Sequence, residues 1–466
     1  MIFTEFRFLF FFVVVFVIRW MLRDLRAQKL WLLLCSYVFY AAWDWRFLSL
    51  IWISTAVDYL VGLRLGAEAE VSRRKLWVTA SVVTNLSILG IFKYYNFFAE
   101  SLTSLLSLLG LPVSYSVVHI VLPVGISFYT FQTMSYSLDI YRGRLEPTRS
   151  LLDLALFVGF FPQLVAGPIV RARAFLPQLD VRARFQDVDF RSSLVLFMSG
   201  YFKKACVSDN IAPYVDRFFA APDEFTALSA WTAVLLYAAQ IYCDFSGYSE
   251  MAIACARMLG FELGENFNFP YLATSIKDFW RRWHISLSSW LRDYLYISLG
   301  GNRGSTLFTY RNLMLTMLLG GLWHGASWNF VIWGGLHGAA LIAHRLWEPF
   351  GRRLPTAFSG GFGFVLTMWW VNLAWIFFRA ADLGEAMAVT RSYVLFIDNG
   401  PRELGPGVLW LLLVLAVLHV AGALSHRSSW WRRAPGWAFA AAYGLLAALA
   451  LSLVHPAAQP FIYFQF

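Results

Sequence analysis

Of the eight histidines in this chain, three lie where an imidazole could do chemistry. His324 sits in Gly320-Gly-Leu-Trp-His324-Gly and His337 in Trp333-Gly-Gly-Leu-His337-Gly. Each falls just inside a small-xxx-small pair, Gly321/Gly325 and Gly334/Gly338, the spacing that lets helix backbones approach closely within a membrane. An ionisable side chain at such a crossing is costly in lipid, so a functional site is the default reading. His324 lies mid-segment, far from interfacial charge, and reads as catalytic or as part of a transport path. His337 reads equally as packing, and His284, in Trp283-His284-Ile-Ser, as interfacial or functional. His119, His344, His419, His426 and His455 fall near segment ends, where snorkelling or capping explains them.

Elimination narrows the chemistry. There is no H-E-x-x-H, and no second histidine lies within five residues of His324, so no metal site is expected. No G-x-S-x-G elbow and no G-x-x-x-x-G-K-[ST] phosphate loop occurs. What remains is a histidine acting as general base near neutral pH. That suits transfer of an acyl group from an activated thioester to an alcohol.

Just upstream, Ile276 to Gly301 mixes Lys277, Asp278, Arg281, Arg282, Arg292 and Asp293 with Phe279, Trp280, Trp283, Trp290 and Tyr294. This is too charged to span lipid and too aromatic for a free loop. It predicts a basic amphipathic helix at the interface, or one that dips in and returns. Such a segment is either a surface anchor or a cationic floor for an anionic cytosolic ligand, for instance the phosphates of a nucleotide-bearing acyl carrier.

The elements that must position these residues are membrane helices. The 466 residues are 59% hydrophobic and 14% charged. With glycine included and tyrosine left out, the apolar share is about 61%, against roughly 45–50% for soluble domains. A soluble enzyme, a disordered chain and a fibrous repeat are all excluded. At about 20 residues per span, the apolar content sets a ceiling near 14 crossings. The surplus of +10 sits at the ends of apolar runs, so the positive-inside bias explains it and nucleic acid need not be invoked. Cys35, Cys206, Cys243 and Cys255 lie in or beside apolar segments without C-x-x-C spacing, as small buried hydrophobes. Phe8 to Ile18 followed by Arg19 reverses the charge order of a signal peptide and reads as a retained first helix.

Apolar stretches follow one another along the whole chain with no repeat period and no long linker. They predict one all-α domain over 1–466. The stretch 101–112 is too short to span alone and reads as re-entrant or interfacial. The stretch 226–258 is too long for one straight span and reads as a span with a break near Gly247. Basic loops at 19–29, 65–75, 171–190, 347–357 and 427–435 are assigned to the cytoplasm, which places both termini outside.

Several motifs carry a resemblance. Trp280-Arg-Arg-Trp-His284-Ile-Ser-Leu-Ser, Trp290-Leu-Arg-Asp-Tyr-Leu-Tyr-Ile-Ser-Leu-Gly-Gly-Asn-Arg303 and Gly320-Gly-Leu-Trp-His324-Gly-Ala resemble the membrane-bound O-acyltransferase family. Leu122-Pro-Val-Gly-Ile-Ser-Phe-Tyr-Thr-Phe-Gln132, Phe161-Pro-Gln-Leu-Val-Ala-Gly-Pro168 and Tyr242-Cys-Asp-Phe-Ser-Gly-Tyr-Ser249 resemble its bacterial branch, which serves alginate O-acetylation and, less similar in wording, teichoic acid D-alanylation. The resemblance runs from about residue 30 to 345 and loosens beyond, with a family-like core to about 380.

The resemblance implies a polytopic ring of transmembrane and re-entrant helices around a central tunnel. It implies His324 as the catalytic histidine deep in that tunnel and His284 as the second signature position, towards the cytosolic funnel. Acetyl-CoA, or another acyl thioester, is the expected donor substrate, with no bound cofactor. It would dock over Lys277, Arg281, Arg282, Arg292 and Arg303. Asp244, in the matching D-F-S-G motif, reads as a buried carboxylate in need of a partner, structural as readily as catalytic. Trp323 and Asn329 are candidates for an oxyanion donor. The expected setting is a multi-pass protein of the bacterial inner membrane, surrounded by lipid. It would work with a separate extracytoplasmic transferase-type partner to acetylate an exported polysaccharide. Two rivals stay open: D-alanyl or other acyl transfer to teichoic acid or peptidoglycan, and a transporter using His324 and Asp244 as a proton relay.

Overall fold

The computed structural model describes residues 1–111, 118, 120–164, 167–351, 355–425, 430–456 and 459–464, with the backbone alone at 356–359, 430 and 464. His119 and His426, read above as snorkelling or capping groups, lie outside the described residues, as do Arg352, Arg353 and Arg427 of the basic loops. Among the described residues the chain is helical, and its one β-type pairing is an isolated bridge between Phe225 and Arg402. Among the described residues four helical segments are long and apolar enough to cross a membrane: Leu25–Ala67, Val71–Leu108, Gly360–Arg379 and Gly407–Ser425.

The contacts divide the chain into two compact units, Met1–Leu194 with Met251–Gly264, and Val195–Glu250 with Glu265–Phe466. The first contains α1 (Phe6–Met21), α2 (Leu25–Asp44), α3 (Leu48–Ala67), α4 (Val71–Leu89), α5 (Tyr95–Leu108), α6 (Ile126–Tyr141), α7 (Leu151–Gly159), α8 (Phe161–Leu164) and α9 (Ala172–Leu179). Asp24 starts α2 by accepting from the Ala27 N–H at 2.7 Å, the usual work of an N-cap carboxylate. Asp44 ends it, with an extended backbone (φ −158°) and a bond from the Arg46 N–H. α6 is buried along nearly its whole length although it is rich in hydroxyls. Its Ser137, with Ser81 and Asn85 of α4, donates to the Asp58 carboxylate of α3. The stretch 101–112 does not stand alone as expected. Up to Leu108 it belongs to a single helical run from Val71, joined through a wide turn at Gly90–Tyr94. Glu100 and Ser101 interrupt the apolar pattern without interrupting the backbone ladder.

The second unit holds most of α10 (Phe190–Tyr201) and α12 (Ala227–Met258), together with α11 (Asp209–Phe219), α13 (Ile276–Arg282), α14 (Ile285–Trp290), α15 (Thr306–His324), α16 (Trp328–Gly351), α17 (Thr356–Arg379), α18 (Leu383–Leu395), α19 (Gly407–Ser425) and α20 (Gly436–Ser452). α12 is one unbroken helix of 32 residues, so the break expected near Gly247 is absent. That glycine is there for packing: a Cβ would fall 2.6 Å from the Gly200 carbonyl oxygen and 3.1 Å from the Lys204 nitrogen. Glycine inside a helix leaves the ladder intact and lets a second backbone come close.

One further expectation changes. The segment after Pro270 is two short helices, α13 and α14, rather than one. Residue 284 breaks them with a left-handed backbone, φ 42°. His324 is the last residue of α15, because Gly325 is extended and α16 starts at Trp328. The glycine pairs do mediate close approach, between α15 and α16 themselves. A Cβ on Gly321 would meet the Phe330 carbonyl oxygen at 2.1 Å, and one on Gly334 the Met317 carbonyl oxygen at 2.3 Å.

Candidate active site

The left-handed turn at His284 swings its imidazole into the second unit, where it is fully buried. Asn266 receives it. The Asn266 side-chain oxygen lies 3.0 Å from His284 Nδ1 and also accepts from the Ser286 N–H at 3.2 Å and the Ser286 hydroxyl at 2.8 Å. The Ser286 backbone N–H can only donate, which fixes the oxygen end of the amide, and the Asn266 amide nitrogen donates to the Ser249 hydroxyl at 3.2 Å. A carbonyl oxygen can only accept, so Nδ1 carries the proton and Nε2 is the basic nitrogen. The φ of 42° is uncommon for a residue with a side chain, and the Ile285 N–H bond to the Asn266 main-chain oxygen, 2.9 Å, supports it.

His324 reaches the same pocket from the end of α15. The two imidazole centroids are 6.4 Å apart, although α14, a loop and the whole of α15 separate the residues in the chain. His324 is 3% exposed. Trp323, Trp333 and Phe378 wall it in, with ring centroids at 5.0, 5.0 and 5.2 Å. Phe245 packs edge-on to His284 at 4.6 Å. Tyr463 lies against both histidines, 5.5 Å from His324 and 6.4 Å from His284. A buried imidazole walled by aromatic rings can act as a base on a hydroxyl that reaches it, screened from bulk solvent.

Asp244, on α12 one residue before Phe245, has found its partner. Lys204 Nζ lies 2.7 Å from an Asp244 oxygen and 2.7 Å from an Asp209 oxygen, with all three side chains buried. The second Asp244 oxygen accepts from the Ile462 N–H at 2.8 Å, and Lys204 also donates to the Gln459 carbonyl at 3.0 Å. Beside this cluster is a cavity of about 20 Å³, room for roughly one water molecule.

Of the basic residues, Lys277, Arg281, Arg292 and Arg303 lie on exposed positions and Arg282 is half-buried. Lys277 and Arg281 share the outer face of α13, whose Ile276 and Phe279 are buried. Lys277 is 4.0 Å from Glu348, Arg282 bonds Asp278 at 2.9 Å, and Arg292 bonds Asp293 at 2.7 Å. Arg303 is exposed. Asn329 is buried but donates to the Ala380 carbonyl at 3.0 Å, so that amide N–H bond ties α16 to the end of α17. His337 is buried between Trp333, Trp280 and Phe279, and neither of its ring nitrogens has a hydrogen-bond partner among the described residues. His419 is a correction: it packs edge-on to Tyr242 at 5.0 Å, inside α19 (Gly407–Ser425), instead of reaching a segment end. Among the described residues no three His, Cys, Asp or Glu side chains converge as metal ligands.

The sequence reading missed Asn266, Lys204 and Tyr463. For Lys204 a signal was present, since a lysine inside the apolar stretch 190–207 needs a partner or a function. Asn266 and Tyr463 carried none, because only the fold brings them to the histidines.

An all-α, polytopic membrane protein with a buried histidine pair beside exposed basic helices is the class that fold and site define. The family model of the membrane-bound O-acyltransferases matches residues 145–381. The chain is 45% identical over 420 residues to a probable alginate O-acetylase of Azotobacter vinelandii, covering 90% of this chain and 83% of that protein. It is 39% identical over 393 residues to the peptidoglycan O-acetyltransferase of Helicobacter pylori, 78% and 73% of the two chains. It is 27% identical over 240 residues to the teichoic acid D-alanyltransferase of Bacillus subtilis, 49% and 60% of the two. The chain belongs to the membrane-bound O-acyltransferase family and is an O-acyltransferase.

Proposed function

We propose that this enzyme takes an acetyl group from cytosolic acetyl-CoA and passes it across the bacterial inner membrane for O-acetylation of an exported, alginate-like polysaccharide. The whole of 1–466 serves as one membrane domain in this reading. The observation that carries it is the buried pair His284–His324, 6.4 Å apart, with the proton of His284 held on Nδ1 by Asn266. The names of the relatives support the acetyl group and the polymer.

His324 acts as the general base. It takes the proton of an acceptor hydroxyl as the oxygen attacks the thioester carbonyl. A C–O bond forms, the C–S bond breaks, and the thiolate leaves to be protonated as free coenzyme. The thioester is already activated, so holding the two reactants together with one base is sufficient catalysis. His284 supports the donor side. Lys277, Arg281, Arg292 and Arg303, all exposed, and the half-buried Arg282 attract the phosphates of the donor on the cytoplasmic face, from which a tunnel leads inward. Trp323, adjacent to His324, is the better placed of the two oxyanion candidates, because Asn329 is engaged by Ala380. A polysaccharide is too bulky to bring each hydroxyl to a buried histidine, so an extracytoplasmic partner with its own nucleophile collects the acetyl group and acetylates the polymer.

A second acceptor, peptidoglycan, is favoured by the 39% identity to the Helicobacter protein. The proton-relay alternative draws less support, since both Asp244 oxygens are engaged by Lys204 and Ile462. Purified protein given labelled acetyl-CoA should transfer the label to the partner, and to polymer only when the partner is present. Direct acetylation of polymer in the minimal mixture would remove the relay from this proposal. No consumption of acetyl-CoA in either mixture would remove the reaction itself.

A further inference from the structure

Segment 459–464 is held in an unusual way. Two of its backbone groups, the Gln459 carbonyl and the Ile462 N–H, are gripped by buried charges, Lys204 and Asp244. Asp209 completes the cluster from the other side of the lysine. Between the two gripped groups the chain turns inward. Phe461 is fully buried, packed on Tyr248 at 4.5 Å and Phe245 at 5.6 Å. The next ring, Tyr463, then falls against Phe245, His324, His284 and Phe378.

We propose that Asp244 and Lys204 are positioning residues that form a socket for segment 459–464, and that they act on the histidine pair through that segment. Burying Phe461 alone would anchor the segment. A buried ion cluster is a costly alternative to apolar packing, and its best-attested use is to fix register. Here it does so through two main-chain groups three residues apart, so a slip by one residue would break both bonds and replace Tyr463 at the histidines. The same α12 turn carries Asp244, Phe245 and Tyr248, so the socket and one wall of the histidine pocket move together. Asp244 is thereby placed outside the path of the transferred proton and acyl group. This inference rests on the acetyl-transfer reading for its kinetic half only.

The test uses the full chain in detergent, with hydrogen exchange followed by mass spectrometry over residues 459–464 and with acetyl-transfer kinetics. Asp244→Asn keeps the shape of the side chain and leaves Lys204 paired with Asp209. It should lower protection of the Ile462 amide about 10- to 100-fold, the range of one charge-assisted hydrogen bond. The kcat should fall by about tenfold or more from misplacement, with the KM for acetyl-CoA unchanged. Phe461→Ala loosens the same segment without touching a charge and should reproduce both effects. The double variant should be no worse than the more severe single one, since both act through one element. Asp244→Glu should recover part of the protection and of the turnover together. Retained protection with lost turnover would overturn the socket and return Asp244 to the chemistry. Lost protection with normal turnover would show that the segment does not serve the histidines. Losses that multiply in the double variant would likewise refute action through the segment. The exchange measurement needs no activity, so it stands even where the acetyl-transfer reading fails.

Discussion

Two of the buried aspartates, Asp58 and Asp244, are satisfied in opposite ways. Among the described residues no cation pairs with Asp58 of α3. Hydroxyls of Ser81 and Ser137 and the Asn85 amide, at 2.8 Å, surround it, and Asn85 in turn accepts from Ser54 and Thr133. Every donor comes from α3, α4 or α6, three helices that pack on one another. Asp244 has a lysine, a second aspartate beyond it, and one backbone N–H from 218 residues away in sequence. Neutral donors complete a carboxylate within a local bundle and leave nothing over. A lysine with three donors can pair with two carboxylates and still bond a carbonyl, so the charged cluster can capture a distant piece of chain. The first arrangement is a lock between helices; the second serves the pocket that holds the histidines.

The largest effect expected in the pocket is that of His324→Ala. Loss of one general base costs about 10²–10⁴-fold, so acetyl transfer should vanish while the protein inserts at normal levels. Normal polymer acetylation in this variant would break the assignment of the pocket as the functional region. His284→Ala should give a milder defect, on the donor side. A total loss of turnover with unchanged donor affinity would reverse the two roles.

The same substitution at both aspartates sharpens the contrast. Asp244→Asn should depress turnover as described above, whereas Asp58→Asn should leave kcat and KM intact. It should instead lower the thermal midpoint, by a loss of about 1 kcal/mol for a hydrogen-bond network rearranged in place. A turnover defect at Asp58 equal to that at Asp244 would dissolve the distinction. A smaller, donor-specific effect is expected from removing Arg281 and Arg282 together. The KM for acetyl-CoA should rise roughly severalfold, as exposed charges are worth little each, and more than for a neutral short thioester. Equal losses for both donors would leave these arginines as interfacial anchors. The least effect belongs to Asn329→Ala, which removes the bond to Ala380. Stability should fall by about 1 kcal/mol, with turnover unchanged. A hundredfold fall in turnover would reinstate Asn329 as the oxyanion donor.

What was legible in the sequence was whatever is local. Hydropathy exposed the membrane helices, because lipid demands long apolar runs. The glycine spacing around His324 and His337 announced a close helix crossing, and α15 and α16 make it. Where the pattern misled, a local signal stood for something non-local. Gly247 looked like a break but is the place where another backbone comes near. The stretch 101–112 looked too short to span alone but, up to Leu108, is the end of a continuing helical run. The segment around His284 looked like one amphipathic helix, and the residue that breaks it is held in its left-handed conformation by Asn266, 18 residues upstream.

By itself, then, the sequence determined a multi-pass helical protein, the motifs of an acyltransferase family, and the residues able to act as base and as cationic floor. Only the tertiary structure decided that His284 and His324 share one pocket, that Lys204 answers the charge of Asp244, and that Tyr463 lies against both histidines. The physical reason is range. Helix period, capping and hydropathy act over a few residues, and these the chain displays in order. A buried charge needs a partner wherever the fold can supply one, and nothing in the spacing of Lys204, Asp244 and Ile462 says that they will meet.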